Sequence, residues 1–286
     1  MPDSTGGPTR LAGLAAISDR FDAAILDQWG VLHDGAKAPA GAVEAVAAMV
    51  AAGKRLVVLS NSARFGSDSR DKLIALGYPP QSFRGVVTSG ETTYGLLRDR
   101  TDPFFAGLGR SVLLIAREPT LIDGLDYRAV DVESADFVLL GSSTAPEKSL
   151  AKDFAATLDR AAARGLPLIC ANPDRIGLAA TGLTEGPGFL AAYYEKLGGT
   201  VRYLGKPLPE VYRRAAALLD DVPPGRIIAI GDSLEHDIAG GRRFGCLTAF
   251  VEAGIHAADL AKPDGLPRLC ARYGATPDFA IPKLLW

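Results

Sequence analysis

The stretch Ala23-Ala24-Ile25-Leu26-Asp27-Gln28-Trp29-Gly30-Val31-Leu32 decides how the rest of the chain is read. Its first residues form an apolar run of the length and kind expected for a buried strand, and Asp27 closes that run at its carboxyl end. Gly30 then frees the backbone for a tight turn. A carboxylate placed in this way is suited to be a nucleophile or a metal ligand. Trp29 is the discordant residue, because it stands two positions on, where such a site wants a proton donor.

Outward from this stretch, short apolar runs alternate with helical patterns, which predicts a parallel sheet flanked by helices. The strand candidates are Ala23 to Leu26, Arg55 to Leu59, Gly85 to Thr88, Ser111 to Ala116, Phe137 to Leu140, Leu166 to Cys170, Arg226 to Ile230 and Leu247 to Val251. Pro39 suits a first helical turn, Val43, Val46, Ala47 and Val50 recur at helical spacing, and Gly53 is a stop signal. Pro187 and Gly198 bracket a second helix, and Leu208, Val211, Tyr212, Ala215 and Leu219 stripe a third.

Polar side chains follow where the apolar runs end. Asp27 ends the first run, Ser60-Asn61-Ser62 ends Leu56-Val57-Val58-Leu59, Gly205-Lys206-Pro207 precedes a helix, and Gly231-Asp232-Ser233-Leu234-Glu235-His236-Asp237 follows Ile227 to Ile230. In an α/β sheet the carboxyl ends of the strands line the ligand crevice. Phosphoryl transfer needs this inventory: a carboxylate to attack phosphorus, a divalent cation, and a lysine with hydroxyl and amide donors to hold negative charge. Mg²⁺ takes oxygen ligands and keeps several waters, so Asp27, Asp232 and Asp237 suffice to hold it.

Composition narrows the partners. The chain has 286 residues, 48% hydrophobic and 22% charged, with 31 Lys and Arg against 33 Asp and Glu. That balance has no basic run to track a nucleic-acid backbone, and no apolar stretch approaches the ~20 residues that span a bilayer. Neither nucleic acid nor membrane is expected as a partner. Cys170, Cys246 and Cys270 are far apart and outside any CxxC spacing, so they read as reduced apolar filler in a cytoplasmic protein. The start, Met1 to Arg10, lacks the basic and apolar segments of a secretory signal and reads as a frayed tail.

The order and spacing of the strand-end motifs resemble those of the haloacid dehalogenase (HAD) superfamily, in which a nucleophilic aspartate, a Ser or Thr, a Lys and an acidic pair occur in succession. Gly30-Val31-Leu32, Ser60-Asn61, Gly205-Lys206-Pro207 and Gly231-Asp232-Ser233-Leu234 with Asp237 are similar to the motifs of the class IIA branch, which carries a C2-type cap. Asn172-Pro173-Asp174, Pro187-Gly188 and Thr248 to Gly254 add secondary likenesses. The resemblance implies a Rossmann-like parallel-sheet core with an inserted α/β cap. The tail would cover 1–15, the discontinuous core 16–84 and 201–286, and the cap 85–200. Such a cap excludes water and selects substrate.

The same resemblance assigns roles. Asp27 would attack phosphorus, Ser60, Asn61 and Lys206 would hold phosphoryl oxygens, and Asp27, Asp232, Asp237 and the Trp29 main-chain carbonyl would hold Mg²⁺. Gly30, Ser62, Asn172, Pro173 and Asp174 would complete the substrate site. Each residue also has an ordinary reading. Asp232 with Glu235 resembles a helix capping pair, Asn172-Pro173-Asp174 a turn, Lys206 a solvated loop lysine, and Ser60-Asn61 a strand-to-loop transition. Independent caps and loops have no reason to reproduce this set in this order.

Trp29 departs from the resemblance, since phosphatases of the superfamily usually carry a second aspartate there as acid and base. Indole offers only an N–H donor, so that function is lost, at a cost of about 10²–10⁴ in rate. His33 is a substitute acid/base by its ordinary pKa, ahead of His236 and His256. A buried Trp29 would also cost ~3–5 kcal/mol to replace. The expected activity is a slow or specialised Mg²⁺-dependent phosphatase acting on a small phosphorylated metabolite, and a homodimer is allowed. The alternatives are a substrate with a good leaving group, a non-catalytic phosphometabolite-binding protein, and dehalogenation or C–P cleavage.

Overall fold

Strands Ala23–Leu26, Arg55–Ser60 and Ile227–Gly231 lie side by side in parallel, with Ala24 opposite Leu56 and Ile228 and Leu26 opposite Val58 and Ile230. Alternate residues of these strands enter two different cores. Ala24, Leu26, Leu56, Val58, Ile228 and Ile230 pack on one face, and Ala23, Ile25, Val57, Leu59, Ile227 and Ala229 on the other. Burial on both faces is why these segments read as unbroken apolar runs rather than as alternating ones.

This computed structural model describes residues 7–116, 119–141, 150–179 and 182–286. Among them the chain divides into two units, the first holding 7–60, 67–87 and 206–286 and the second 61–66 and 88–205. The first unit's sheet has seven strands in the order Thr9–Arg10, Phe279–Ile281, Leu247–Val251, Ile227–Gly231, Ala23–Leu26, Arg55–Ser60 and Gly85–Thr88. Pairings from Thr9–Arg10 through to Arg55–Ser60 are parallel.

The second unit has its own five-stranded sheet, ordered Val201–Tyr203, Leu168–Cys170, Phe137–Leu140, Ser111–Ile115 and Arg128–Ala129, all in parallel pairings. Val138, Leu140, Leu168 and Cys170 fill one core there, and Phe137, Leu139 and Ile169 another. A two-stranded antiparallel ribbon, Ile176–Ala179 with Gly182–Glu185, follows. The sequence reading sets its divisions at 84/85 and 200/201, and the units divide at 87/88 and 205/206. The difference arises because Gly85–Thr88 extends the first sheet, and Val201–Tyr203 pairs with Leu168–Cys170 in the second.

Three local expectations change. The expected tail is structured from Thr9 onward, since Thr9–Arg10 pairs with Phe279 and Ala280 and Leu14 is fully buried; residues 1–6 lie outside the described residues. The first helix is Ala42–Ala51, beginning after Pro39, and it buries Ala42, Ala45, Val46 and Met49 while Ala47 and Val50 face solvent. The third helix, Pro209–Ala216, buries Val211, Tyr212 and Ala215 but leaves its N-cap Leu208 exposed. Between them, the helix Pro187–Lys196 begins on its proline, with Gly198 at φ 83° just beyond its end. Among the described residues no helix is long and apolar enough to cross a membrane.

Candidate active site

Asp27 leaves its strand one residue beyond the Leu26–Ile230 pair, and its backbone N–H donates to the Ile230 carbonyl at 2.8 Å. Ser60 ends the neighbouring strand on one side, and Asp232 follows the strand on the other. The parallel register therefore delivers these residues to the carboxyl edge of one sheet. Asp27, Asp232 and Asp237 each present an oxygen within 4.8 Å of the others.

Asp232 is held from three directions. Its Oδ2 accepts the Ile255 N–H at 2.9 Å. A Cβ on Gly30, where φ is 78°, or on Gly254 would overlap the same carboxylate oxygen. The turn after Asp27 and the loop after Val251 are thus closed directly onto this carboxylate, which only glycine permits.

Asp237 lies in a five-residue π turn, Leu234–Ile238. Ser233 caps that turn, accepting the His236 N–H on Oγ at 3.2 Å, while Asp237 Oδ2 accepts the Ser233 N–H at 3.1 Å. The reciprocal cap is therefore Ser233 with Asp237, not Asp232 with Glu235. Single π turns of this kind recur at functional sites, because they re-aim a side chain.

Lys206 is 3% exposed, and its Nζ lies 2.6 Å from Asp27 Oδ1 and 2.7 Å from Asp237 Oδ1. It is a buried bridge between two carboxylates, which sets aside the reading as a solvated loop lysine. Burial pushes the Asp237 carboxyl up to about 7, opposed by Lys206 and reinforced by Asp27. Asp232 is raised well above the usual carboxylate range, first by burial and then by Asp27 and Asp237. Among the described residues three carboxylates cluster around the Lys206 ammonium, and all-oxygen donors of this type suit a hard divalent cation.

Trp29 is 39% exposed, which overturns its expected burial. It forms an isolated bridge with His33, whose ring meets the indole edge to face at 4.6 Å. His33 itself is 1% exposed, its Nδ1 accepts the Gly35 N–H at 3.0 Å, and burial pushes its pKa down to about 4. At neutral pH it is a neutral imidazole with hydrogen on Nε2, buried without a hydrogen-bond partner among the described residues. His256 packs between Phe250 and Tyr273, and burial lowers its pKa too; His236 is buried beside the cap.

In the second unit, Asn61 Nδ2 donates to Asp174 Oδ1 at 2.7 Å, and Ser89 Oγ donates to Asn61 Oδ1 at 3.3 Å. Asn172 Oδ1 accepts the Asp174 N–H at 3.1 Å, which makes the turn that the sequence allows here. Pro173 is buried, and Ser62 Oγ accepts the Arg64 N–H at 3.2 Å. Residues to which the sequence reading gave no role in the site are Gly254, Ser233, Ile255 and Ser89. The glycine after Val251-Glu252-Ala253 was the available signal for the first of these.

A model of haloacid dehalogenase-like hydrolases matches residues 24–125, and a model described as HAD-hydrolase-like matches 203–281. The chain is 29% identical over 304 residues to glycerol-3-phosphate phosphatase of Gallus gallus, covering 98% of this chain and 96% of that one. It is 27% identical over 251 residues to D-glycerol 3-phosphate phosphatase of Mycobacterium tuberculosis, covering 86% and 67%. A haloacid dehalogenase-like hydrolase from Brucella suis superposes with a TM-score of 0.82 at 30% identity, covering 97% of this chain and all of the other.

Proposed function

The chain belongs to the haloacid dehalogenase superfamily as a class IIA, phosphatase-like member, and on that footing we propose that it hydrolyses a small phosphorylated metabolite through Asp27 with the help of Mg²⁺. The observation that carries this reading is the buried cluster of Asp27, Asp232, Asp237 and Lys206 at one sheet edge. A cluster kept for stability alone would be poorly chosen, because bringing carboxylates together in a buried place costs desolvation and mutual repulsion.

Asp27 Oδ attacks phosphorus in line, the bond from phosphorus to the alcohol oxygen breaks, and the phosphoryl group passes to the carboxylate. Water then cleaves the acyl phosphate, releasing inorganic phosphate and restoring Asp27. Lys206 orients Asp27 and balances charge on the phosphoryl oxygens, with Ser60 as a further donor and Gly30 shaping the turn beside them; within the second unit, Asn61, Ser62, Asn172, Pro173 and Asp174 are candidate substrate-binding groups. Asp27, Asp232, Asp237 and the Trp29 carbonyl are the oxygen donors for Mg²⁺, which when bound neutralises the non-bridging oxygens. The departing alcohol takes its proton from water, since the indole N–H is too weak an acid to transfer its proton and the neutral His33 is a weak acid.

Turnover is therefore slow for alkyl phosphates and faster for esters with acidic alcohols. Glycerol phosphates are the first metabolites to assay, as both named relatives suggest. Phosphate release with Mg²⁺ across a panel of alkyl, acyl and aryl phosphates, compared with Asp27→Asn, tests the reading. Release that persists in the variant, or none from any ester with wild type, removes it.

A further inference from the structure

Within the turn that follows Asp27, exposure is concentrated on one side chain. Gln28, Val31, Leu32 and His33 are each 3% exposed or less, whereas Trp29 is 39% exposed. A lone exposed aromatic is ordinary on a protein surface and needs no explanation. This one is braced. Its backbone bridges to His33, the Gly30 N–H donates to the His33 carbonyl at 2.8 Å, and the His33 ring supports the indole at 72°.

Gly35 closes the support. With φ at 98° it approaches the indole so closely that a Cβ there would lie 2.8 Å from Trp29 Cζ3. Its N–H holds His33 Nδ1, which fixes the imidazole against the indole. The next residue, Gly30, carries the chain straight onto the Asp232 carboxylate. An indole held in this way loses little freedom when a ligand covers it, so its contact area is delivered at low entropic cost.

We infer that Trp29 is a preorganised apolar platform beside the phosphoryl site, and that it selects phosphomonoesters whose alcohol portion carries a flat apolar face, with aryl phosphates as the chemical class. The inference rests on the phosphatase reading for its catalytic consequence but not for its binding one. Stacking on a fixed indole favours a fused aromatic over a single ring or an aliphatic alcohol by about 2- to 10-fold per contact. It also accommodates the missing proton donor, because aryl alcohols leave without one more readily than alkyl alcohols.

The test compares 2-naphthyl phosphate, phenyl phosphate and glycerol 3-phosphate in wild type, Trp29→Phe and Trp29→Ala. The two aryl esters have leaving groups of similar acidity and differ in flat area, which separates stacking from leaving-group chemistry. The ratio of kcat/KM for naphthyl over phenyl phosphate should fall by about 3- to 10-fold in Trp29→Ala, through KM, and partly recover in Trp29→Phe. The chain has two tryptophans, so Trp286→Phe makes Trp29 the sole indole emitter. In that background 2-naphthyl phosphonate should perturb its fluorescence saturably, and inorganic phosphate much less. A naphthyl-to-phenyl ratio unmoved by Trp29→Ala overturns the platform while leaving the phosphatase standing. Without hydrolysis of any ester, the phosphatase reading falls and the fluorescence decides alone: a selective saturable change supports the platform, and its absence overturns it.

Discussion

Lys206 Nζ stands 2.6 Å from Asp27 Oδ1 with the lysine side chain only 4% exposed, so the ammonium is the internal counter-charge of the carboxylate proposed to attack phosphorus. Its second contact, 2.7 Å to Asp237 Oδ1, makes its removal a loss to both carboxylates. Lys206→Met should destabilise the first unit by about 3–5 kcal/mol, because breaking a buried pair strands the remaining charge. Phosphate release should fall by about 10² or more with it. Urea unfolding and a phosphate assay read the two effects, and an unchanged unfolding midpoint would contradict the bridge.

The cation-free protein should lose stability as pH rises from 5 to 8. Asp237 is pushed up to about 7 and Asp232 is also raised, so the folded state binds their protons more tightly than the unfolded chain does. Their contribution to stability is complete below about 4, the ordinary carboxylate value, and is lost as pH climbs through the folded pKa. A divalent cation competes with those protons. Added Mg²⁺ should therefore raise the melting temperature more at pH 8 than at pH 5, and Asp232→Asn should shrink that difference. Thermal melts at both pH values check this, and an equal Mg²⁺ shift at both argues against cation binding by the cluster.

Gly254→Ala tests how strictly Asp232 is placed. A Cβ at 254 would overlap the Asp232 carboxylate, which must then rotate away and give up the Ile255 N–H. Apparent Mg²⁺ affinity, read as the cation dependence of turnover or of melting temperature, should weaken by about 10–100-fold, the usual effect of disturbing a ligand's support. An alanine variant with wild-type cation dependence would mean that the loop yields instead.

How much of this was legible in the sequence depends on what each feature requires. The central strands announce themselves because burial on both faces leaves uninterrupted runs such as Ile227 to Ile230. Asp27, Lys206, Asp232 and Asp237 stand out because polar residues at the ends of such runs are conspicuous. Thr9–Arg10 and Arg128–Ala129 are exposed two-residue strands with no period to detect, and Phe279–Ile281 is barely longer. The stripe Val43, Val46, Ala47 and Val50 satisfies helical spacing, yet only Val46 of it is fully buried, and Ala42, Ala45 and Met49 join it in the interior, which depends on room available in the core. The glycine after Val251-Glu252-Ala253 signals a turn, but not that the turn closes on the Asp232 carboxylate. Whether Trp29 is buried was not legible either, since its exposure depends on the turn that His33 and Gly35 brace.

That exposure makes Trp29→Asp an informative variant rather than a folding defect. At 39% exposure Trp29 covers less area than a fully buried aromatic, so the cost should stay below the ~3–5 kcal/mol of a core aromatic and be read as a shift in melting temperature. A carboxylate at this position can donate a proton to the departing alkoxide and then accept one from the attacking water. Hydrolysis of glycerol 3-phosphate should rise, by up to about 10²-fold if proton transfer limits it, with a new pH dependence in kcat. Hydrolysis of 2-naphthyl phosphate should move the other way in KM, because the indole face is gone. The opposed signs separate the two properties joined in this residue, the proton it cannot transfer and the surface it offers. A variant that improves both esters equally would show that Trp29 obstructs the site, and one that changes neither would place the limiting step outside this turn.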